Sequence, residues 1–376
     1  MSSSSPIEPV LLMKPQPVLS DMPEHIKEKI IALLDTITKL KLGQCSKNFK
    51  KLVDKSSFHF KQLAMCLFLN STMINVYFDD EPIKSISFKQ NSDEDIKQAV
   101  EFISKILKTK EQVPVTMNTL AIYHSFDEDK VVEIQDRYSK LMDCLQETLA
   151  SRKHQLCVKE LTIQLFEDRE QKLSKVLLHL EPIFLEKINL DSSDLIQTED
   201  DFIIFELGNA VLESRQWKGA KELFAFDCHL NISYEQYEHF EGIVATVEDA
   251  VTLEQLKSLI EKSFKMPVHV SKKIVTEEEM EFGAMRNYLK QFECHKNSYI
   301  VPIPGTQDRL HVELHEHFDT LVIRKDDPDN EDYNDESDDS DASDASEDSE
   351  DSDDFDDYDG FEDYEDSEDS EDSDEQ

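Results

Sequence analysis

The stretch "LHVELHEHF" at residues 310–318 holds a dense set of metal-capable side chains. On a β-strand, His311, Glu313, His315 and His317 would project from one face while Leu310, Val312 and Leu314 packed behind, an arrangement that can chelate a metal. An exposed edge strand shows the same alternation with no metal, so no metal site is assigned and no cofactor is expected. A second chemical pattern lies in "DESDDSDASDASEDSEDSDD". Ser337, Ser340, Ser343, Ser346, Ser349 and Ser352 recur at every third position, and Ser367, Ser370 and Ser373 repeat the step. Such a ladder has the form of a substrate for acid-directed kinases, for which a phosphoserine three residues on replaces an acid; each phosphate adds roughly −1.5 to −2 charges. A solvating tail that is never phosphorylated has the same composition.

Nothing else has the spacing of a catalytic centre. There is no nucleophile elbow, Gly-rich phosphate loop or zinc spacing, and 7 Gly leave little material for tight ligand loops. A non-catalytic role is expected. Cys45, Cys66, Cys144, Cys157, Cys228 and Cys294 lie far apart with no Cys-x-x-Cys pair, which suits small buried hydrophobes in a reducing cytosol or nucleus. The opening "MSSSSPIEPVLLMKPQPVLS" lacks the charged start and apolar run of a signal peptide. No window nears the roughly 18 apolar residues of a membrane span. The formal net charge is −42, unevenly spread: residues 326–376 carry 30 of the 82 acids and none of the 40 bases. Both parts disfavour a nucleic-acid backbone and favour basic proteins or patches as partners.

The elements that must position any function begin at residue 20. Residues 1–17, rich in Ser and Pro, read as a disordered lead. In "SDMPEHIKEKIIALLD", Asp21 can cap a helix with Pro23 in its first turn and Glu24 closing an Asp-x-x-Glu box, and Ile26, Ile30, Leu33 and Leu34 follow at helical spacing. A second series runs through Leu40, Leu42, Cys45, Phe49, Leu52 and Val53, giving two or three short helices over about 20–60. Beyond them, "NVYF", "KSISF", "TLAIY", "ELTIQL", "KINL" and "ELFAF" read as strands with helices between several of them, which favours a largely parallel sheet. The clearest helix is "TLEQLKSLIEKSF", with Thr252 and Gln255 as its capping box and Leu253, Leu256, Leu259, Ile260 and Phe264 as its buried stripe.

The strands share an apolar-x-x-apolar-x-apolar frame whose middle positions are Ile86, Leu120, Leu161, Ile188, Leu223 and Ile243. The rhythm is that of a loose leucine-rich repeat without its Asn ladder, and an ordinary α/β domain can match the frame by chance. The residues between the inward ones then point to an open face: Ser87, Ala121, Tyr123, Thr162, Gln164, Asn189, Phe224, Phe226, Val244 and Thr246. Tyr123, Phe224 and Phe226 are aromatics there, candidate anchors for a bound protein unless a helix or loop covers them. Trp217 reads as core.

Two stretches carry a resemblance. "MPEHIKEKIIALLDTITKLKLGQCSKNFKKLVD" (22–54) resembles the F-box: Met22-Pro23 stands where that family has Leu-Pro, Ile26, Ile30 and Leu33 continue it, and Phe49 takes a place where many members have Trp. "RQWKGAKEL" (215–223), with "EDREQKLSKVLLHLEPIFLEKINL" before it and "EHFEGIVATVEDAVTLEQLKSLIEKS" after, is similar to the FTH domain of the large nematode F-box protein family, the F-box A type. The resemblance implies an F-box that binds the Skp-type adaptor of a cullin ubiquitin ligase through Met22, Pro23, Ile26, Ile30, Leu33, Leu34, Cys45 and Phe49. It also implies a downstream domain that binds the protein to be ubiquitinated, for which Tyr123, Thr162, Gln164, Asn189, Phe224, Phe226 and Thr246 are the candidate face. The surplus apolar surface on 20–35 agrees with such docking. The expected fold class is α+β or α/β: an all-helical F-box at 18–65, an α/β, leucine-rich-repeat-like region at 66–325 including an FTH domain over about 110–325, and a disordered acidic tail at 326–376. The alternative is a plain interaction protein or acidic chaperone for basic proteins, without ligase activity.

Overall fold

Three short helices open the ordered chain: α1 (Glu24–Leu33), α2 (Thr36–Cys45) and α3 (Lys47–Asp54). The computed structural model describes residues 19–78, 82–89, 93–108, 115–125, 130–164, 170–192, 204–267, 270–295 and 298–325. The lead at 1–17 and the serine ladder lie outside them. Pro23 is the N-cap of α1 and Asp21 ends a single 3-10 turn, so the expected Asp21–Glu24 box does not form. Asp35 and Ser46 cap the next two helices, accepting from the backbone N–H of Thr38 at 2.8 Å and of Phe49 at 3.2 Å.

The strands are β1 (Phe58–Phe68), β2 (Ser71–Tyr77), β3 (Pro82–Lys89), β4 (Val115–His124), β5 (Cys157–Gln164), β6 (Lys187–Asp191), β7 (Ile204–Glu206), β8 (Glu222–Asn231), β9 (Gly242–Val247), β10 (Ser271–Thr276), β11 (Glu293–His295), β12 (Ser298–Pro302), β13 (Arg309–His315) and β14 (Thr320–Lys325). Among the described residues they form one sheet in the order β11-β12-β13-β14-β10-β9-β8-β6-β5-β4-β1-β2-β3, with β7 paired to β8. From β1 through β4, β5, β6, β8 and β9 to β10 every neighbouring pair is parallel and in chain order. Antiparallel strands extend both ends, β2 and β3 at one and β14, β13, β12 and β11 at the other. The connecting helices are α4 (Glu94–Lys108), α5 (Val131–Ala150), α6 (Glu170–Leu177), α7 (Asn209–Leu212), α8 (Arg215–Gly219), α9 (Tyr234–Tyr237), α10 (Leu253–Ser263) and α11 (Phe282–Leu289).

One apolar row sets the register. Leu63, Leu120, Leu161, Ile188, Leu223 and Ile243 are successive cross-strand neighbours, all buried. Five of the six middle positions of the sequence frame fall on this row. Ile86 does not: β3 is antiparallel, and Ile86 sits opposite Ile74. The apolar faces of α4, α5, α6 and α10 join the same core, through residues such as Ile103, Tyr138, Val176 and Leu259. On α10 the capping box forms as expected, with Thr252 N–H donating to Gln255 Oε1 at 2.8 Å and Gln255 N–H to Thr252 Oγ1 at 3.3 Å. Gly242 is needed where β9 meets the residue before β10, since a Cβ there would collide with Val270 Cγ1. Trp217 is fully buried, its indole N–H donating to the Gln236 carbonyl at 2.9 Å.

Two buried charges are held differently. Arg137 of α5 donates to Asp95 of α4 at 2.6 Å, and Thr72 of β2 donates to the same carboxylate at 3.0 Å, so the pair ties two helices to the sheet. Lys272 of β10 instead donates to the Phe240 carbonyl, and burial, followed by the nearby charge of Lys262, brings its pKa from 10.5 down to about 8. Unfolded, Lys272 titrates at its ordinary value, so between about pH 8 and 10.5 the unfolded state holds the extra proton and stability rises with pH; below pH 8 the full cost of the buried charge is present. Chemical denaturation of wild type and Lys272→Met from pH 7 to 11 is expected to show the difference shifting toward wild type by about 3 kcal/mol across that window. A difference independent of pH would mean that the ammonium is not burdened by its burial.

Candidate functional site

The helical module is seated on the sheet through the start of α2. Thr36 Oγ1 donates to the His59 carbonyl at 2.7 Å and accepts from the His59 N–H at 3.3 Å, and Lys39 donates to the Ser57 carbonyl at 3.2 Å. Burial lowers the pKa of Lys39, with Asp35 acting the other way. Ile31, Leu52 and Val53 join the core cluster that contains the sheet's apolar row, so the module and the sheet share one interior. Ile31 is the one buried residue of α1; Ile26 and Ile30 are half-buried and Leu33 stands clear.

Those outward residues are the ones expected to meet an adaptor. Leu33 is 88% exposed, Pro23 is exposed, and Met22, Ile26, Ile30 and Leu34 are half-buried. Cys45 is exposed and donates to the Lys41 carbonyl at 3.3 Å, against the expectation that the cysteines are buried; Cys294 is exposed too, Cys66 and Cys144 are half-buried, and Cys157 and Cys228 are buried. Phe49 packs against the core instead of standing clear of it.

The second surface is the sheet face opposite the helices. Its middle row runs Ala64, Ala121, Thr162, Asn189, Phe224, Val244 and Lys273 across seven neighbouring strands, of which Ala64 and Ala121 are buried, Ala121 against the expectation that it lies open. Asn189 ties the centre together, donating to Glu160 Oε1 at 2.7 Å and to Thr162 Oγ1 at 3.0 Å. Lys187 stands 3.7 Å from Glu160, and its ammonium lies 4.3 Å from the centroid of the Phe224 ring. Phe224 and Phe226 stack with centroids 6.0 Å apart, and Phe226 is 47% exposed. Tyr123 is half-buried; burial first, then Cys66, Asp191 and Glu160, pushes its phenol pKa up. Thr246 is half-buried at the far side, between His229 and Val275. Ser87 lies exposed on β3 at the sheet's end, away from this centre. Gln164 departs from expectation: it is buried, and its Oε1 accepts the His124 N–H at 2.9 Å, because the end of β4 has a donor that the side chain satisfies.

Sequence reasoning missed Ile31, Thr36 and Lys39 in the seat and Glu160, Lys187 and Asp191 on the face. The last three stand on the open side of the same strands as the named positions, so extending the frame by two residues finds them. The "LHVELHEHF" cluster does not converge. β13 lies between β12 and β14, so it is no edge; it ends at His315, and His317 falls in a 3-10 turn. Arg324 donates to Glu313 at 2.5 Å, Ser298 pairs with His311 at 3.0 Å, and among the described residues no group of three metal-ligating side chains forms.

A helical module that leaves Leu33 exposed thus shares its core with a sheet whose other face is partly exposed. Residues 19–61 match the family model of the F-box domain, and residues 139–282 match that of the FTH domain. The chain therefore contains both an F-box and an FTH domain. F-box domains bind Skp-type adaptors within cullin complexes, and their presence indicates in general a substrate-recognition adaptor of such ligases. A comparison with curated proteins found no match.

Thr36→Val removes both partners of the His59 backbone groups and is expected to cost about 1–3 kcal/mol, with faster amide exchange across α1–α3 than across β4–β6. Unchanged exchange in the helices would remove Thr36 as the seat.

Proposed function

We propose that this protein recruits substrates to a Skp–cullin–F-box type ubiquitin ligase, docking by its F-box and holding a target protein on the open face of the sheet that includes the FTH match. The observation that carries the reading is the division of α1: Ile31 enters the shared core while Leu33, on a segment that matches the F-box, is left 88% exposed beside half-buried Ile26 and Ile30. On a segment that matches the F-box, Leu33 is the side chain that a docked adaptor would cover first. The role is non-catalytic: the adaptor supplies proximity between ligase and target. The chain-order parallel strands and their common row favour a leucine-rich-repeat-like reading of the sheet, and a cytosolic or nuclear location follows from the proposed complex. The acidic stretch 326–376 serves solubility or basic partners, and its serines are candidate kinase sites.

The seat decides which experiment is informative. Because the F-box helices share their core with the sheet, the full chain is used. Leu33→Asp is expected to weaken binding to a purified Skp-type adaptor by about a hundredfold while leaving the melting temperature within a degree or two. Ile30→Asp is expected to weaken it as well, with some loss of stability because that residue is half-buried. Adaptor binding that survives Leu33→Asp undiminished would overturn the docking face; no binding by the folded wild type would favour the acidic-chaperone alternative.

A further inference from the structure

The turn that carries the chain from α6 to β6 holds apolar side chains out of the core. Ile183 is 86% exposed, and Leu178 and Phe184 of the same turn are exposed too, whereas Leu180 and Leu185 are buried. The turn is tied down on both sides. Toward β5, the Leu156 N–H donates to the His179 carbonyl at 3.2 Å, the Glu181 N–H to the Leu156 carbonyl at 2.9 Å and the Glu186 N–H to the Lys159 carbonyl at 2.8 Å. Toward β8, Gln216 of α8 donates to the Leu180 carbonyl at 2.8 Å and the Lys221 N–H to the Glu186 carbonyl at 2.8 Å. Ile183 could reach the core only by breaking these bonds, so its exposure is built into the fold. Single apolar side chains on a surface are ordinary; three on one fixed turn mark a surface that a partner can cover.

The segments that bracket the turn give it a charge. Residues 151–159, 178–186 and 213–221 carry six Lys and Arg against three Glu, in a chain whose acids outnumber its bases two to one. Two of those Glu are already engaged, Glu186 with Lys159 at 3.2 Å and Lys221 at 3.4 Å, and Glu213 with Lys218. Lys153 and Arg215 are exposed, and they lie close in sequence to Gln155 and Gln216, which donate to the Leu178 carbonyl at 3.2 and 3.3 Å. A second copy of the chain would set one basic rim against another. An anionic bilayer is an extended negative plane that would meet the 82 acids of the chain as well as this rim, whereas a short acidic segment meets the rim alone.

We infer that this turn docks an acidic segment of another protein, whose apolar side chains cover Ile183 and Phe184 while its Asp and Glu face the rim that includes Lys153 and Arg215. The surface lies at the N-terminal ends of β5, β6 and β8, inside the FTH match. It is separate from the open face and does not rest on the ligase reading.

The test uses the full chain with photo-reactive benzoylphenylalanine in place of Ile183, and three synthetic 13-residue peptides: one of Asp and Glu with three Phe, one with Lys for every acid, and one with Ser for every Phe. Adducts are mapped by mass spectrometry. The acidic Phe peptide is expected to be captured, with about tenfold less capture of the other two. Adding Lys153→Glu and Arg215→Glu, or Phe184→Ser, is expected to lower capture of the acidic Phe peptide by about the same factor. All these positions are exposed, and equal melting temperatures verify the fold. Equal capture of the Lys peptide or of the Ser peptide overturns the class of partner. Covalent dimers formed by the chain alone overturn it in favour of a second copy, and adducts to distant residues of the same chain that exclude the peptide overturn it in favour of an internal segment. Retention of the wild type on phosphatidylserine vesicles that Ile183→Ser abolishes overturns it in favour of a membrane surface. No capture of any peptide overturns the docking surface itself.

Discussion

The register of the parallel strands is the constraint on which both sides of this molecule depend. A pleated strand alternates its side chains, so the row from Leu63 to Ile243 that closes the core also fixes which residues stand on the other face and which of them are neighbours. A slip of one residue between β6 and β8 would expose Leu223 and bury Phe224, and it would separate Asp191 from Phe226. The hydrophobic term that holds the core thereby sets the spacing of a surface that contributes little to stability itself. The irregular step of three, then two, between buried positions, as in Met117, Leu120 and Ile122, is common to β4 and β5 and keeps their rows in phase.

Much of this was legible because it rests on local spacing. The frame named Leu120, Leu161, Ile188, Leu223 and Ile243 as equivalent, and they are neighbours. Thr252 and Gln255 form the box that their spacing predicts, since a capping box needs only four residues. What failed depends on partners far away in sequence. Gln164 has the period of an open-face residue, but its amide is claimed by a backbone donor forty residues earlier. Ile86 fits the frame, yet its strand runs the other way, because β3 begins five residues after β2 ends, too soon for a crossover. β13 has the alternation of an edge strand, and only β12, which comes before it in the chain, turns it into an interior one.

The F-box end shows the same dependence in stronger form. Its helices announce themselves by period, whereas their attachment is invisible in the sequence, because a threonine at the start of α2 and a backbone carbonyl of β1 have no pattern linking them. The result is that the helices do not hang from a linker. Ile31, Leu52 and Val53 lie in the interior that also holds Met65 and Ile122, and the direction of the exposed side of α1 relative to the sheet is set by that packing. For the proposed proximity-based role, such a fixed bearing limits the positions at which a bound protein can be presented.

The placement of β1 has a further consequence, for the order in which the molecule matures. This strand follows the first three helices directly, but its parallel partner β4 ends at His124, with β2, β3 and α4 in between. As the chain is synthesised, the helices and β1 emerge together, but β1 gains its parallel partner only after loop closure across β2, β3 and α4. Until then the interior that takes the inward isoleucine of α1 is incomplete. A nascent chain therefore completes the interior beneath its F-box helices only after it has begun the parallel sheet.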